Sequence, residues 1–326
     1  IPNTYAIMRD GQPPCESTCP AGVNVCGYMN LAGLGKFDEA LALVREKMPF
    51  AAICGRICFH PCETACKRGR IDRPLSICYT KRFLGDRELE KGEFNHPPQK
   101  EPREEKGAVV GSGPAGLAAA YYLALEGYAV TVYEKLPLAG GMLAVGIPDY
   151  RLPRDILNAE IENLESLGVT IKTSVAFGTD VTFESLESDG FKAFFVATGL
   201  HKSSSLRTEG DDLEGVIGGV DLLRQVSLGE QVAIGKKVVI IGGGNVAIDC
   251  ARTCWRMGAE EVIILYRRTR AEMPASEWEI EEAEHEGVTL HYLAAPTRLI
   301  GEAGRLTSLE YIRMELGEPD DSGRRR

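Results

Sequence analysis

Eight of the chain's ten cysteines fall within its first 78 residues, as Cys15, Cys19, Cys26, Cys54, Cys58, Cys62, Cys66 and Cys78. Thiols at that density are either disulfides or soft-metal ligands. Disulfide-dense scaffolds are small, whereas this cluster precedes a large apolar-rich body, so ligation is the better reading. The central four, in CGRICFHPCETAC, recur every fourth residue, which on a helix of about 3.6 residues per turn stacks neighbouring thiols along one face. A [4Fe-4S] centre needs four thiolates or near equivalents from separated segments, and eight candidates would serve one or two such clusters. Zinc is the rival metal, but structural zinc pairs its cysteines in two separated knuckles, and this run is one continuous series. Cys250 and Cys254 lie far downstream on a helix after a glycine turn and read as buried small hydrophobes.

Two glycine-rich turns follow. Gly111, Gly113 and Gly116 form GxGxxG between the apolar strand AVV and an alanine-rich helix that opens on Pro114 and Ala115. The first glycine permits the tight turn, the second lets backbone approach a pyrophosphate, and the third lets helix pack on strand, while helix N-terminal amides face the anion. Glu134, with Lys135 after it, ends the second strand, where a carboxylate accepts hydrogen bonds from a ribose diol. That favours FAD or NAD over a 2′-phosphorylated nucleotide. The plainer alternative is a glycine turn needed only for packing. Gly242, Gly244 and Ala247 give the GxGxxA variant after VVII, with Asn245 and Val246 opening the helix. Aligning the copies on Gly127 and Gly258, with one extra residue in the second, is read as putting Arg267 where the first has Glu134. Arg268 and Arg270 follow, and no carboxylate appears before Glu272. A guanidinium holds a 2′-phosphate bidentately and the missing carboxylate removes repulsion, so NADPH is expected over NADH. The alternative is a solvated arginine-bearing turn.

The elements that must position these groups are legible from periodicity. FDEALALVREKM, from Phe37 to Met48, puts Phe37, Leu41, Val44 and Met48 on one stripe, a core-facing helix stopped by Pro49. Residues 1–91 read as a mainly helical iron–sulfur domain whose modest core needs cofactor bonds. Residues 92–106 are polar and proline-bearing and read as a linker. Residues 107–203 form the first part of an FAD-binding domain and 204–326 an NAD(P)H-binding domain, each opening strand, glycine turn, helix, strand. The expected fold class is α/β, with two doubly wound, Rossmann-like nucleotide domains behind the helical domain and the FAD domain truncated in its C-terminal part. DILNAEIENLESLGV reads as a helix and FKAFFVATG as a buried strand ending in a glycine turn. SEWEIEEAEHEG reads as a helix with Ser276 and Glu279 at capping-box spacing and an acidic, solvated face.

Composition sets bounds. The 326 residues are 44% hydrophobic and 26% charged, ordinary for a folded protein of two or three domains. A formal net charge of -10 argues against a nucleic-acid surface. No run approaches the ~20 apolar residues that cross a bilayer. The first residues, IPNTYAIMRDG, carry no basic leader or apolar stretch, so the expected location is cytoplasmic. The chain starts at Ile1 and stops on GEPDDSGRRR without a closing element, which reads as a fragment of a longer protein at both ends. No GxSxG elbow is present. Residues 107–200 contain no cysteine, which excludes a redox cysteine pair beside the first nucleotide site.

The chain resembles the small (β) subunit of NADPH-dependent glutamate synthase and the matching N-terminal region of dihydropyrimidine dehydrogenase. The resemblance rests on CESTCPAGVNV, CGRICFHPCETAC, VVGSGPAGL, AGGMLAVGIPDYRLP, FVATG, GGGNVAID and YRRTRAEMP, in that order across nearly the whole chain. It implies FAD at the first glycine turn, NADPH or NADH at the second, and two four-iron clusters on the cysteines. It also implies that Gly141, Met142, Leu143, Gly146, Ile147, Arg151, Thr198 and Gly199 contact FAD beside Gly111, Gly113, Gly116 and Glu134. Gly244, Asn245, Arg267, Arg268 and Arg270 would contact the nicotinamide nucleotide. Cys15, Cys19, Cys58, Cys62 and Cys66 match the ligand positions, Cys26 and Cys78 are extra cysteines, and Cys54 precedes the ligand run. Two further family cysteines are replaced by Ile7 and Asp10, so the pattern implies one or two clusters. A later family segment containing Gly-Asp that touches the flavin ribityl chain has no counterpart here. The implied function is electron input: hydride transfer between NAD(P)H and FAD, then single-electron steps to a partner oxidoreductase subunit or ferredoxin-like acceptor, with no protein acid or base required. The alternatives are the glutamate synthase small subunit proper and, from another class, a non-catalytic iron–sulfur adaptor.

Overall fold

In a computed structural model that describes residues 11–319 and 325, the chain forms two compact units. One comprises the chain up to residue 144 with 149–199, the other 145–148 with everything from 200 onward. The positions of Ile7 and Asp10 lie outside the described residues.

The first unit opens with helices α1 (Pro14–Ser17), α2 (Val25–Gly33), α3 (Phe37–Arg45), α4 (Ala51–Ile57) and α5 (Pro61–Thr64), a 3-10 turn at Lys67–Arg70, and α6 (Ile77–Lys91). Their ends follow local chemistry. Asn24 caps α2 by accepting the Gly27 N–H at 2.8 Å, and α6 stops at Gly92 in the left-handed region. The stripe on α3 buries Leu41 and Val44 against Val25, Tyr28, Ile77 and Leu84, with Phe37 and Met48 packed alongside. Helices α4 and α6 touch closely: a Cβ on Gly55 would lie 2.5 Å from Arg82 Cα, and one on Gly85 2.6 Å from the Ala52 nitrogen.

The continuous helix expected for the central cysteines does not form. Helix α4 ends at Ile57, Cys58 is extended, and His60 takes φ 41° before Pro61 opens α5. Proline lacks an N–H and disfavours the α conformation in the residue before it, which outweighs the four-residue periodicity. The segment 93–105 carries no regular element, yet it is tied down. Lys100 N–H donates to Leu125 O at 2.9 Å, Arg103 N–H to Gly127 O at 2.8 Å, and the Gln99 amide to Leu167 O at 3.0 Å. The expected linker is a strap bound along the first nucleotide fold.

That fold runs β1 (Lys106–Val110), α7 (Pro114–Leu125), β2 (Ala129–Tyr133), α8 (Met142–Val145), α9 (Arg154–Glu165), β3 (Thr170–Lys172), α10 (Phe183–Ser188) and β4 (Phe191–Val196). The strands are parallel in the order β3-β2-β1-β4. Strand β4, expected to be buried, is an edge strand, and Phe195 and Val196 are exposed. Its apolar run has one neighbouring strand among the described residues, so apolarity alone did not decide its place.

The second unit contains α11 (Gly219–Ser227), β5 (Lys237–Ile241), α12 (Asn245–Arg256), β6 (Glu261–Tyr266), α13 (Glu277–His285), β7 (Thr289–Tyr292), β8 (Ala294–Glu302) and β9 (Arg305–Arg313). Strands β5, β6 and β7 form a parallel sheet, and β8 with β9 a hairpin turned at Ala303 and Gly304, both at positive φ. Helix α13 departs from expectation twice. Ser276 makes no side-chain cap bond; its N–H donates instead to Asn245 Oδ1 at 3.0 Å. The acidic face is not free in solvent: Glu279 is buried against Arg252 at 2.8 Å, Glu286 takes Arg252 and Arg256, and Glu277 and Glu284 take Arg270. Among the described residues no helix is long and apolar enough to cross a membrane.

Candidate functional site

At the first glycine turn each glycine has a different reason. A Cβ on Gly116 would sit 1.9 Å from Gly111 O, and one on Gly111, at φ 103°, would sit 2.4 Å from Ala197 O and 3.4 Å from Thr198 Cα. The Ala197-Thr198-Gly199 turn is thus the back wall of the loop, with Gly199 at positive φ. Gly113 differs, since a Cβ there would meet nothing within 4 Å. It is also the N-cap of α7 and provides no side-chain cap. The amides beyond it, at Ala115 and Gly116 past the N–H-less Pro114, therefore face open space. This is a cradle that fits a pyrophosphate.

The rest of the cradle is braced by Ser112, which sequence reasoning passed over as a free position within GxGxxG. Glu134 is buried, and its Oε2 accepts from Ser112 N–H at 2.9 Å and Ser112 Oγ–H at 2.6 Å. Its Oε1 accepts the Leu136 N–H at 2.8 Å. A carboxylate has about four acceptor positions, so one remains for a ribose hydroxyl. Ser112 Oγ in turn accepts the Gly140 N–H at 3.0 Å, which draws the AGGM segment onto the loop. A Cβ on Gly141, at φ 54°, would lie 2.7 Å from Gly113 Cα. Leu143 is buried and Met142 half-buried on α8. Gly146, Ile147 and Arg151 follow, half-buried, while Lys135 is exposed.

The second turn repeats this plan with changes. Gly244 is the uncapped N-cap of α12, and a Cβ there would make only an ordinary contact with Pro274 at 3.8 Å. Ala247 is tolerated in the third position because its methyl stands 3.6 Å from where a Gly242 Cβ would be. Val246 is exposed and Asn245 anchors the start of α13. Strand register corrects the expected alignment. Val110 pairs with Tyr133 and Ile241 with Leu265, so Tyr266, not Arg267, stands where Glu134 stands in the first copy. The Tyr266 ring packs on Gly243, its hydroxyl donating to Glu272 O at 2.7 Å. Arg267 follows, exposed, with no carboxylate in ion-pair reach among the described residues. Arg268 is half-buried. Arg270 is held by Glu284 at 2.5 Å and Glu277 at 2.7 Å, so two carboxylates compete for the guanidinium expected to meet a phosphate.

The cysteines fall into subsets. Cys15 and Cys26 bring their sulfurs to 3.8 Å. Cys78 Sγ donates to Gly55 O at 3.4 Å, and Cys58 accepts the His60 N–H at 3.3 Å; the neighbouring Cys78 thiol, nearby Lys81 and that N–H favour the Cys58 thiolate, while Cys78 is pushed up. Cys19 and Cys62 lie within electrostatic reach of that pair, and the charges of Cys62, Cys78 and Cys19 all bear on the buried Tyr28 hydroxyl. Burial pushes Cys62 up to about 11 and Cys54 likewise. Lys81 is the second residue the sequence did not single out. It is buried one turn after Cys78 on α6, and its cation favours the thiolates of Cys54, Cys58, Cys62 and Cys78. Cys66 stands apart in a groove lined by His60, Glu63 and Arg70. Among the described residues no three His, Cys, Asp or Glu side chains close around a single ion. Cys54, Cys58, Cys62 and Cys78 share the field of the buried Lys81 cation, which favours their thiolates, the form a four-iron cluster needs as ligands. Cys250 and Cys254 are buried on α12, as expected, and burial pushes Cys254 up to about 11.

The family model described as pyridine nucleotide-disulphide oxidoreductase matches residues 105–320, and that described as dihydropyrimidine dehydrogenase domain II, 4Fe-4S cluster, matches residues 8–93. The chain is 47% identical to the beta subunit of the NADP(+)-dependent formate dehydrogenase of Moorella thermoacetica, over 96% of the chain and 48% of that subunit. It is 32% identical to the glutamate synthase [NADPH] small chain of Escherichia coli K12, over 97% of the chain and 70% of that protein. The chain thus spans about half the length of the first relative. Mycobacterium tuberculosis FprA in its NADPH complex superposes with a TM-score of 0.60 at 21% identity, covering 69% of this chain and 66% of that one, a likeness of fold.

Proposed function

Because the chain belongs to the pyridine nucleotide-disulphide oxidoreductase family, with a 4Fe-4S domain of the dihydropyrimidine dehydrogenase type ahead of it, we propose that it is the electron-input part of a larger oxidoreductase. Its cofactors are FAD, a nicotinamide dinucleotide and [4Fe-4S]. When bound, they supply hydride transfer between nicotinamide and flavin and single-electron steps to and from the cluster. The protein's part is to hold and orient them. The amides past Gly113 and Gly244 take the two pyrophosphates, Glu134 takes the FAD ribose, and Gly141, Met142, Leu143, Thr198 and Gly199 border the flavin side. Arg267 and Arg268 take a 2′-phosphate, with Arg270 supporting the turn through α13. Cys19, Cys58, Cys62 and Cys78 hold one cluster, and Cys15, Cys26 and Cys66 are candidates for another. The domain limits follow the same division, at 1–91, 92–106, 107–203 and 204–326.

The observation that carries this reading is the open space at Gly113 beside an uncapped α7, braced by a carboxylate already bound to its own loop. The partner is an oxidoreductase subunit or a ferredoxin-like acceptor, in the cytoplasm, where ten unpaired thiols are at home. Greater identity to the formate dehydrogenase subunit than to the glutamate synthase small chain favours the first as a guide. Anaerobic addition of NADPH to the full-length protein should bleach the flavin band faster than NADH. Arg267→Ala should raise KM for NADPH by about 10- to 100-fold, the loss of one charge-assisted contact, and leave KM for NADH unchanged. Equal bleaching by the two nucleotides in the unaltered protein would overturn the arginine assignment.

A further inference from the structure

Residues 67–76, between α5 and α6, form an unbroken exposed run. Ile71 is 82% exposed and Leu75 47%, while Tyr79, on the first turn of α6, is 69% exposed. Phe59, 62% exposed, directly precedes His60. His60, Glu63, Cys66, Gly69, Arg70 and Pro74 line a groove of about 460 Å³. Ile71 and Leu75 directly follow the groove residues Arg70 and Pro74 in the chain; single exposed apolar residues are ordinary, but large ones repeated within one short segment beside a groove mark a surface that meets another molecule.

The charge there runs against the rest of the chain. The same run holds Lys67, Arg68, Arg70 and Arg73 against Asp72 alone, in a protein of formal net charge -10. Arg68 pairs with Asp72, whereas Lys67, Arg70 and Arg73 have no carboxylate in ion-pair reach among the described residues. The acidic body repels an acidic protein, and three free cations beside an apolar rim would turn it so that it meets this face first. Cys66 lines the groove itself and lies close enough to Arg68 for its charge to act on that guanidinium. A centre bound through Cys66 would lie directly under the rim.

We propose that this basic and apolar rim, Lys67, Arg70, Ile71, Arg73 and Leu75, is the docking face for an acidic electron-carrying protein. The proposal rests on the reading above, in which electrons pass through the cysteine domain. An acidic [2Fe-2S] ferredoxin is the probe, titrated onto full-length protein prepared anaerobically with its cofactors. Binding should be measurable at 50 mM salt and fall steeply at 300 mM. The Arg70→Glu/Arg73→Glu variant and, separately, Ile71→Ser should each weaken it at least tenfold at 50 mM salt, with iron content and NADPH bleaching of the flavin unchanged. Hydrogen exchange should show residues 67–76 protected only when ferredoxin is added. Three results would refute the docking face while leaving electron input intact: no ferredoxin binding by a protein whose flavin NADPH still bleaches, equal binding by the variants, or protection of 67–76 before ferredoxin is present, by the rest of the protein or a second copy. Failure of NADPH to bleach the unaltered protein would instead strike the functional reading.

Discussion

Glu160 on α9 is buried, with Oε1 accepting the Ala52 N–H at 2.8 Å and Oε2 without a partner among the described residues. Burial pushes its carboxyl up from an ordinary 4.5 to about 7, against the pull of the Ala52 N–H, Arg45 and Arg56. Those cations are occupied elsewhere, Arg45 by Glu88 and Asn95 O, Arg56 by Asp86. The folded protein therefore keeps a proton that the unfolded chain has already lost between pH 4.5 and 7. With a raised carboxyl, stability is highest below the unfolded value, falls as pH rises toward 7, and is level beyond it. At about 1.4 kcal/mol per pH unit the loss is about 3 kcal/mol between pH 5 and 8. Glu160→Gln keeps an oxygen for Ala52 and removes the ionisation. Its α4 amides should show opening free energies independent of pH by native-state hydrogen exchange, after correction for intrinsic rates, and should exceed the unaltered protein by up to about 3 kcal/mol at pH 8. Trp255 and Trp278, the only tryptophans, both lie in the second unit, so their unfolding transition serves as a control that the substitution leaves in place. The same pH slope in both proteins would refute the burial argument.

The two kinds of glycine should separate on substitution. Gly116→Ala, with its methyl 1.9 Å from Gly111 O, should cost roughly 2–3 kcal/mol in urea unfolding, whereas Gly113→Ala should fold normally and lose FAD on gel filtration. Among the cysteines, Cys58→Ser should lower bound iron and sulfide, while Cys254→Ser should keep both and cost about 1–2 kcal/mol for a buried hydroxyl, read from the Trp255 transition.

The two strand–turn–helix–strand units were legible because every instruction in them is local: an apolar run, glycines at fixed offsets, then a helix stripe. The cysteine run was misread for a related reason. Its four-residue period is a strong helical signal, but the chain is already extended at Cys58 and Pro61, which cannot continue an incoming helix, opens a new one after His60. The alignment of Arg267 with Glu134 failed at the level of register, since pairing Ile241 with Leu265 is set by the sheet and puts Tyr266 at that height. The acidic run of α13 looked solvated because its partners, Arg252 and Arg270, lie on other elements. A helical wheel of α13 alone cannot contain them.

The polar groups that fix the cysteine helices to the first nucleotide fold were invisible for the same reason. Glu160 and the Ala52 amide are 108 residues apart in sequence, and the Arg45–Glu88 pair, itself 43 apart, reaches on to Asn95 O in the strap. Apolar surfaces such as the Leu84 and Tyr28 core permit small slides at little cost, whereas a buried carboxyl on one amide and a buried guanidinium on one carboxylate each admit one position. On the proposed function, in which electrons pass between the cysteine domain and the Gly111 turn, the segment carrying Cys54 and Cys58 gains from being held at a fixed depth against that fold, because electron-transfer rates fall steeply with distance. Glu160 meets α4 two residues before Cys54, and the strap that receives Arg45 is the same one that hydrogen-bonds Leu125 and Gly127 beside α7. Directional bonds at those points hold α4 and the strap against the first nucleotide fold, a role that a leucine at the same buried positions would not fill.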